Sequence, residues 1–136
     1  MARRPSDEWR RRVAEEAAEL EQGSLSPADA SAAVLWPESL RSSTDSVLAA
    51  FEGELRALAS PSDEDVLGAV RRVVLALNKV NEQQGRAGSI GYETGEREEL
   101  CEYIDASLEE FGIDVRALEA RRGIDRGEIA GNWREW

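Results

Sequence analysis

Histidine is absent from this 136-residue sequence, and cysteine occurs once, at Cys101. Without histidine, the chain lacks the side chain that most often serves as a general base or a metal ligand near neutral pH. Serine–histidine and cysteine–histidine catalysis are therefore excluded, as are zinc and di-iron sites that use histidine. A single cysteine also excludes a disulfide within the chain, which favours a reducing, cytoplasmic location.

Long apolar runs are missing as well. The longest purely aliphatic run covers residues 73–77, whereas a membrane-spanning helix needs about 20 apolar residues. Arg3 and Arg4 are not followed by the apolar stretch of a signal peptide. We therefore expect a cytoplasmic protein that does not span a membrane and carries no standard secretion signal.

Motifs for catalysis, metals and cofactors are also lacking. Four glycines at positions 85, 88, 91 and 95 follow a helical pattern rather than a strand, and no Gly-Lys-Ser or Gly-Lys-Thr is present. Cys101 is interpreted as a packing residue, because neighbouring carboxylates raise the pKa of a thiol and make it less reactive. The sequence thus predicts a non-catalytic protein with no metal and no cofactor.

Among the charged residues, acidic side chains outnumber basic ones. Aspartate and glutamate number 28 against 17 lysines and arginines, which gives a net charge of −11. Residues 1–12 are a local exception, with five arginines and two acids, and we expect residues 1–5 to form a disordered basic arm. An acidic body repels phosphate backbones and attracts basic proteins, so the expected partner is a basic protein and not a nucleic acid or a membrane.

Apolar residues recur with helical spacing, and no stretch alternates as a half-buried strand does. The sequence therefore predicts an all-α fold, with residues 1–136 in a single domain built as a bundle of five to six helices. A central helix is predicted near residues 63–84 because five apolar positions step by four and three. These positions are Val66, Val70, Val73, Leu77 and Val80.

Turn and cap signals place the other helices. The first is expected from Ser6 to Gln22, with Ser6 as its N-terminal cap. A short second helix should open at residues 26–29 and end before Pro37, and a third should follow residues 43–44. A fifth helix is expected to be capped by Thr94 and to bury Leu100, Ile104, Leu108 and Phe111. A sixth is expected from Asp114 to Arg122.

The C-terminal residues and the tryptophans are predicted to pack on the core. Ile129, Trp133 and Trp136 are spaced by four and three, so we expect the tail to dock as one or two helical turns. Trp9, Trp36 and Trp133 are interpreted as core residues by ordinary burial preference. Trp136 is the tryptophan that we expect to be exposed.

The predicted fifth helix carries the most concentrated charge. Residues 93–110 hold eight acids against Arg97 alone. Four of the acids are spaced by four, three and four, which places them in one row facing away from the apolar side. They are Glu98, Glu102, Asp105 and Glu109. Because no basic residue interrupts the row, we predict an exposed surface that binds a basic protein, with a merely solvated face as the alternative.

A second alternative makes the acids magnesium ligands. Residues 15–19 (EEAAE) and 102–105 (EYID) match fragments of the Glu-x-x-Glu and Glu-x-x-Asp motifs of all-α nucleotide pyrophosphohydrolases. The fragments lie more than eighty residues apart, whereas the paired motifs of that family belong to neighbouring helices of one hairpin. A magnesium-dependent nucleotide hydrolase is therefore kept as the alternative function.

Three segments carry a resemblance to a known type of protein. Residues 77–81 (LNKVN), 92–100 (YETGEREEL) and 133–136 (WREW) resemble a type of small acidic bacterial protein. Some proteins of that type are immunity proteins, which neutralise a toxin. The resemblance spans about the C-terminal half of the chain. It implies a binding role with a toxin as one expected partner, and no site residue is carried over from it.

Overall fold

The regular structure of this protein is helical, as seen in a computed structural model that describes residues 2–131 and 133–136. Across those residues there are six α-helices and one 3-10 turn, at Pro27–Asp29, and no strand. The helices are α1 (Pro5–Gln22), α2 (Ala32–Leu35), α3 (Glu38–Ala57), α4 (Asp63–Arg86), α5 (Thr94–Glu110) and α6 (Val115–Arg122). The prediction of an all-α bundle is confirmed. No helix in the described ranges has the length and apolarity needed to cross a membrane.

The longest helix, α4, forms over the range that its apolar spacing predicted and has a buried apolar face. Ser62 caps its N-terminus by a reciprocal pair of hydrogen bonds with Asp65, of 3.0 and 3.1 Å. All five of the predicted apolar positions are buried. Its main partner is α3, which runs antiparallel to it, since contacts join Glu54 to Arg72 at one end and Ser39 to Gln84 at the other.

The helix α1 packs on α3 and on α5, and Tyr103 of α5 donates a hydrogen bond to Glu52 of α3. On α5 the inner face of Leu100, Ile104 and Leu108 is fully buried, as predicted. The expectation that Phe111 extends this face is wrong, because 37% of the residue is exposed. The helix ends at Glu110, and the chain then turns away at Gly112, whose φ of +82° takes it out of the helical path.

Three helices begin earlier than their hydroxyl residues suggested, among them α5, which is capped by Glu93 and not by Thr94. The helix α1 starts at Pro5 and α3 follows Pro37, since a proline φ near −65° suits a helix start. Ser6 and Thr44 therefore lie inside helices and bond to distant side chains instead of capping. Ser6 donates to Asp45, and the Thr44 and Tyr92 hydroxyl oxygens lie 2.7 Å apart.

The tail docks on the core without forming a helix in its described residues. Ile129 and Trp136 are buried and Trp133 is partly buried. In place of a helical turn among the described tail residues, the Glu135 N–H, which a helix would use internally, donates to Asn78, and Asn78 donates to the Trp133 carbonyl oxygen. The expectation that Trp136 is exposed is also wrong, since only 5% of the residue is accessible.

Candidate functional site

The predicted acidic row lies along α5, and the structure divides it into two halves. Glu98 and Glu102 are exposed, and neither has an ion pair or a hydrogen bond within the described part of the chain. Asp105 is half-buried and accepts from Arg116, with 3.2 Å between Oδ2 and Nη2. Glu109 accepts from the backbone N–H of Val115 at 3.2 Å.

The expectation of an uninterrupted, exposed row is therefore wrong at Asp105, whereas Glu109 is exposed as expected. The helix α6 folds back against α5 and carries Arg116 to Asp105. Burial raises the pKa of Asp105, while Arg116 opposes that effect. The negative charge at Asp105 is thus largely offset by Arg116, and the acids of the row that have no ion pair or hydrogen bond within the described residues are Glu98 and Glu102.

Arginines elsewhere on the surface pair with acids, but no arginine of the described residues pairs with Glu98 or Glu102. Most of the arginines lie within ion-pair distance of an acid, on the same helix or on a neighbouring one. They are Arg3, Arg4, Arg10, Arg11, Arg41, Arg72, Arg86, Arg116, Arg121 and Arg122. Glu98 and Glu102, one helical turn apart, repel each other by a few tenths of a kcal/mol, on the order measured for like charges at this spacing.

A shallow depression adjoins Glu102 where the N-terminal residues meet α5. Ala2, Pro5, Tyr103 and Ala106 supply its apolar surface, and Glu8, Glu99, Glu102, Arg3 and Arg4 supply its charged groups. Burial raises the pKa of the Glu99 carboxyl, to which the Trp9 indole N–H donates at 3.5 Å. The depression offers carboxylates beside an apolar wall, which suits a long basic side chain with an aliphatic stem.

Two residues that line this depression, Arg4 and Tyr103, are bonded to a buried carboxylate that the sequence analysis did not identify. Glu52 accepts two hydrogen bonds of 2.9 Å from Arg4 and a further one from the Tyr103 hydroxyl. The Arg4 bonds hold the pKa of Glu52 below its ordinary value against the opposing effect of burial. The spacing of Glu52 from Leu48 and Leu55, by four and three, places it on the buried side of α3 and could have identified it.

The N-terminal residues are consequently not the disordered basic arm that their charge suggested. Met1 lies outside the described residues, but Ala2 packs on the core and Arg4 is bonded to Glu52. Pro5 begins α1, and Arg10 of that helix pairs with Asp45 of α3. The basic charge of this region is therefore largely used within the protein, which removes it as a free binding arm.

A second open surface lies between α3 and α4. Five apolar side chains form its floor, and the ion pair between Glu54 and Arg72 forms its rim. The floor consists of Val47, Ala50, Phe51, Val73 and Ala76. Leu75 on α4 is also exposed, at 43%. This α3–α4 groove is uncharged apart from its paired rim, so it lacks the electrostatic signal of α5.

The acids of the two magnesium-motif fragments are largely engaged in other contacts. Glu15 pairs with Arg11, and Glu16 accepts from the backbone N–H groups of Ser31 and Ala32 at the start of α2. Asp105 is paired with Arg116, as described above. In the part of the chain that the structure describes, no three Cys, Asp or Glu residues converge as a metal site would require.

Comparison of the chain with protein-family models, with curated proteins and with solved structures gives no match. The candidate site therefore rests on the position, exposure and pairing of its own residues. Glu98 and Glu102 form its centre, and the depression beside Glu102 forms one flank. Asp105, which pairs with Arg116, and Glu109, which accepts from the Val115 N–H, form the other.

Proposed function

We propose that this protein binds a basic protein partner through the α5 surface centred on Glu98 and Glu102. One observation carries the proposal: these two exposed carboxylates lie one helical turn apart without a partner in the described residues, in a segment (residues 93–110) that holds eight acids against one arginine. An unpaired like-charge pair slightly destabilises its helix. A positively charged partner would relieve that repulsion.

The depression gives this surface a means of recognition beyond charge. A lysine or arginine of the partner can lay its aliphatic stem on Tyr103 and Ala106 and bring its charge to Glu99 and Glu102. Asp105 and Glu109 extend the same row, but Arg116 and the Val115 N–H reduce their share of the attraction. Specificity should therefore be set mainly at the Glu98–Glu102 end.

The kind of partner follows from the charge and from the resemblance of the C-terminal half to immunity-type proteins. A net charge of −11 attracts a strongly basic surface over long distances. A toxin that needs such a surface for its action would be inhibited when this protein covers it. We therefore propose an immunity-type role, in which binding occludes the partner and no chemical step is needed.

Reversing both central charges should remove partner binding. The double variant Glu98→Lys/Glu102→Lys places two cations on the site, and we expect it to capture at least tenfold less partner from a lysate of the native cells. The matched control is Glu19→Lys/Glu21→Lys on α1, which changes the net charge equally at exposed acids without ion-pair partners in the described residues. Affinity capture followed by quantitative mass spectrometry provides the measurement.

Equal capture by the wild type and by both variants would eliminate the α5 surface as the binding site. Loss of capture in both variants alike would show that net charge, and not this surface, attracts the partner. Retention in the control together with loss in the Glu98/Glu102 variant supports the proposal. Circular dichroism of each variant shows whether its helical fold is retained.

The alternative function, a magnesium-dependent nucleotide hydrolase, makes a different prediction. Such an enzyme needs several oxygen ligands that together hold a divalent cation. We expect calorimetric titration with magnesium or manganese, with and without nucleoside triphosphates, to give no saturable binding, and we expect no hydrolysis. Saturable binding together with hydrolysis would replace the binding role by an enzymatic one.

A further inference from the structure

The side chain of Asn78 on α4 binds the backbone of the tail, residues 133–136, through two hydrogen bonds. Its side-chain Nδ2 donates to the carbonyl oxygen of Trp133 at 2.7 Å, and its Oδ1 accepts from the N–H of Glu135 at 2.9 Å. One amide side chain thus pairs with two backbone groups two residues apart, which is the pairing that a neighbouring strand makes with an extended chain. Asn78 itself is buried, with 9% of its surface exposed.

The side chains of residues 133–136 complete the attachment. Trp136 is buried against Tyr92, with ring centroids 5.9 Å apart at an angle of 72°. The Arg134 guanidinium lies 5.4 Å from the Trp136 ring centroid and donates to the Cys101 sulfur at 3.1 Å. Cys101 is half-buried and burial raises the pKa of its thiol, so it contributes a contact here and not a reactive thiolate.

The attachment also contains an incomplete hydrogen bond. The indole N–H of Trp136 is buried and has no acceptor among the described residues. A buried donor without an acceptor weakens the attachment, because the N–H gives up its bond to water on docking and gains none. Residues 133–136 form no helix or strand with the rest of the chain. The tail is therefore held by a few separable contacts.

We propose that Asn78 and Tyr92 form a peptide-binding site that residues 133–136 fill within one molecule and that the same segment of a second copy can fill instead. The contacts are identical in both arrangements, so exchange needs no new surface. A tethered segment competes at an effective concentration on the order of millimolar. Exchange between copies should therefore become visible only near that protein concentration.

The first test uses the full-length variant Trp136→Ala, which empties the indole position. We expect it to bind a synthetic peptide of residues 131–136 saturably, and the wild type to bind it at least tenfold more weakly because its own tail fills the site. A peptide ending in alanine instead of tryptophan should bind at least tenfold more weakly. The variant Asn78→Leu/Trp136→Ala should also bind the tryptophan-ending peptide at least tenfold more weakly, because it lacks the side-chain amide that pairs with the peptide backbone.

A folded Trp136→Ala protein that binds no peptide would overturn the proposal. If that variant does not fold, Glu135→Pro serves as the receptor, because proline removes the N–H that bonds to Asn78 and leaves Trp136 intact. If neither variant unfolds cooperatively, the tail is an inseparable part of the core and the proposal is overturned. This test does not involve the partner of α5, so the two proposals can fail separately.

The second test addresses the source of the segment. We expect sedimentation of the wild type near millimolar concentration to show a dimer that excess peptide dissociates. Peptide binding to Trp136→Ala without any dimer of the wild type would overturn the assignment to a second copy.

Discussion

Replacing Leu77 with aspartate is expected to abolish cooperative folding. Leu77 is fully buried at the centre of α4, and an unpaired carboxylate there costs several kcal/mol against a total stability of about 5–15 kcal/mol. Thermal and urea unfolding followed by circular dichroism at 222 nm should show no sigmoidal transition, or one in which most of the stability is lost.

The matched control lies two residues away on the same helix. Leu75 is 43% exposed, so Leu75→Asp should change the free energy of unfolding by only about 0.5 kcal/mol, the usual range for surface sites. Both variants place the same charge on α4 with the same helix propensity. If the two variants lost stability equally, α4 would not be oriented as described.

Replacing Arg4 with alanine is expected to give the second large loss of stability. The side chains of Arg4 and Glu52 are 28% and 5% exposed, so the change leaves a buried carboxylate without its cation. Breaking a fully buried pair costs about 3–5 kcal/mol, and the partial exposure of Arg4 lowers our expectation to about 2–3 kcal/mol. The melting temperature should fall by roughly 10 °C.

Arg3→Ala is the control, because the Arg3 side chain is 69% exposed and its ion pair with Glu8, at 3.7 Å, lies at the surface. It should be nearly neutral. If Arg4→Ala unfolded at the same temperature as Arg3→Ala, the Glu52 pair would contribute little to stability.

The same pair makes stability depend on pH in a defined direction. The pKa of Glu52 is lower in the folded protein than its ordinary value, so the folded state binds this proton less tightly than the unfolded state. The contribution of ionised Glu52 to the free energy of unfolding is complete above the pKa of glutamate in the unfolded chain, about 4.3. It is lost as the pH falls through the lower pKa of the folded protein. Arg4→Ala should weaken this acid dependence, which denaturant titrations between pH 2 and 6 can measure.

Local spacing was sufficient to predict the elements that bury one continuous apolar face. The helix α4 was predicted because its regularly spaced apolar positions and the capping residue Ser62 that precedes it both indicate a helix over the same range. Ser6 and Thr44 misled the placement of helix starts, because the same hydroxyl groups can cap a helix or bond across the core. Only the packed structure decides between these uses.

Prediction of the candidate site from sequence spacing was limited in the same way. Glu98 and Glu102 were predicted to be exposed, and the structure agrees. Asp105 follows the same spacing, yet its environment is set by Arg116 of another helix, a contact that helical periodicity does not describe. The docking of Arg4 on Glu52 likewise joins residues 48 apart. Long-range pairing of this kind follows from the packing of helices and not from the period of any one of them.

The association rate of the captured partner, measured at several salt concentrations, tests the α5 surface most directly. For the wild type we expect a rate above the ordinary range of about 10⁵–10⁶ M⁻¹s⁻¹ that falls markedly as added salt screens the charges. The Glu98→Lys/Glu102→Lys variant should associate at least tenfold more slowly at low salt and approach the wild-type rate at high salt. Equal rates for the two proteins at every salt concentration would contradict a role for Glu98 and Glu102 in binding.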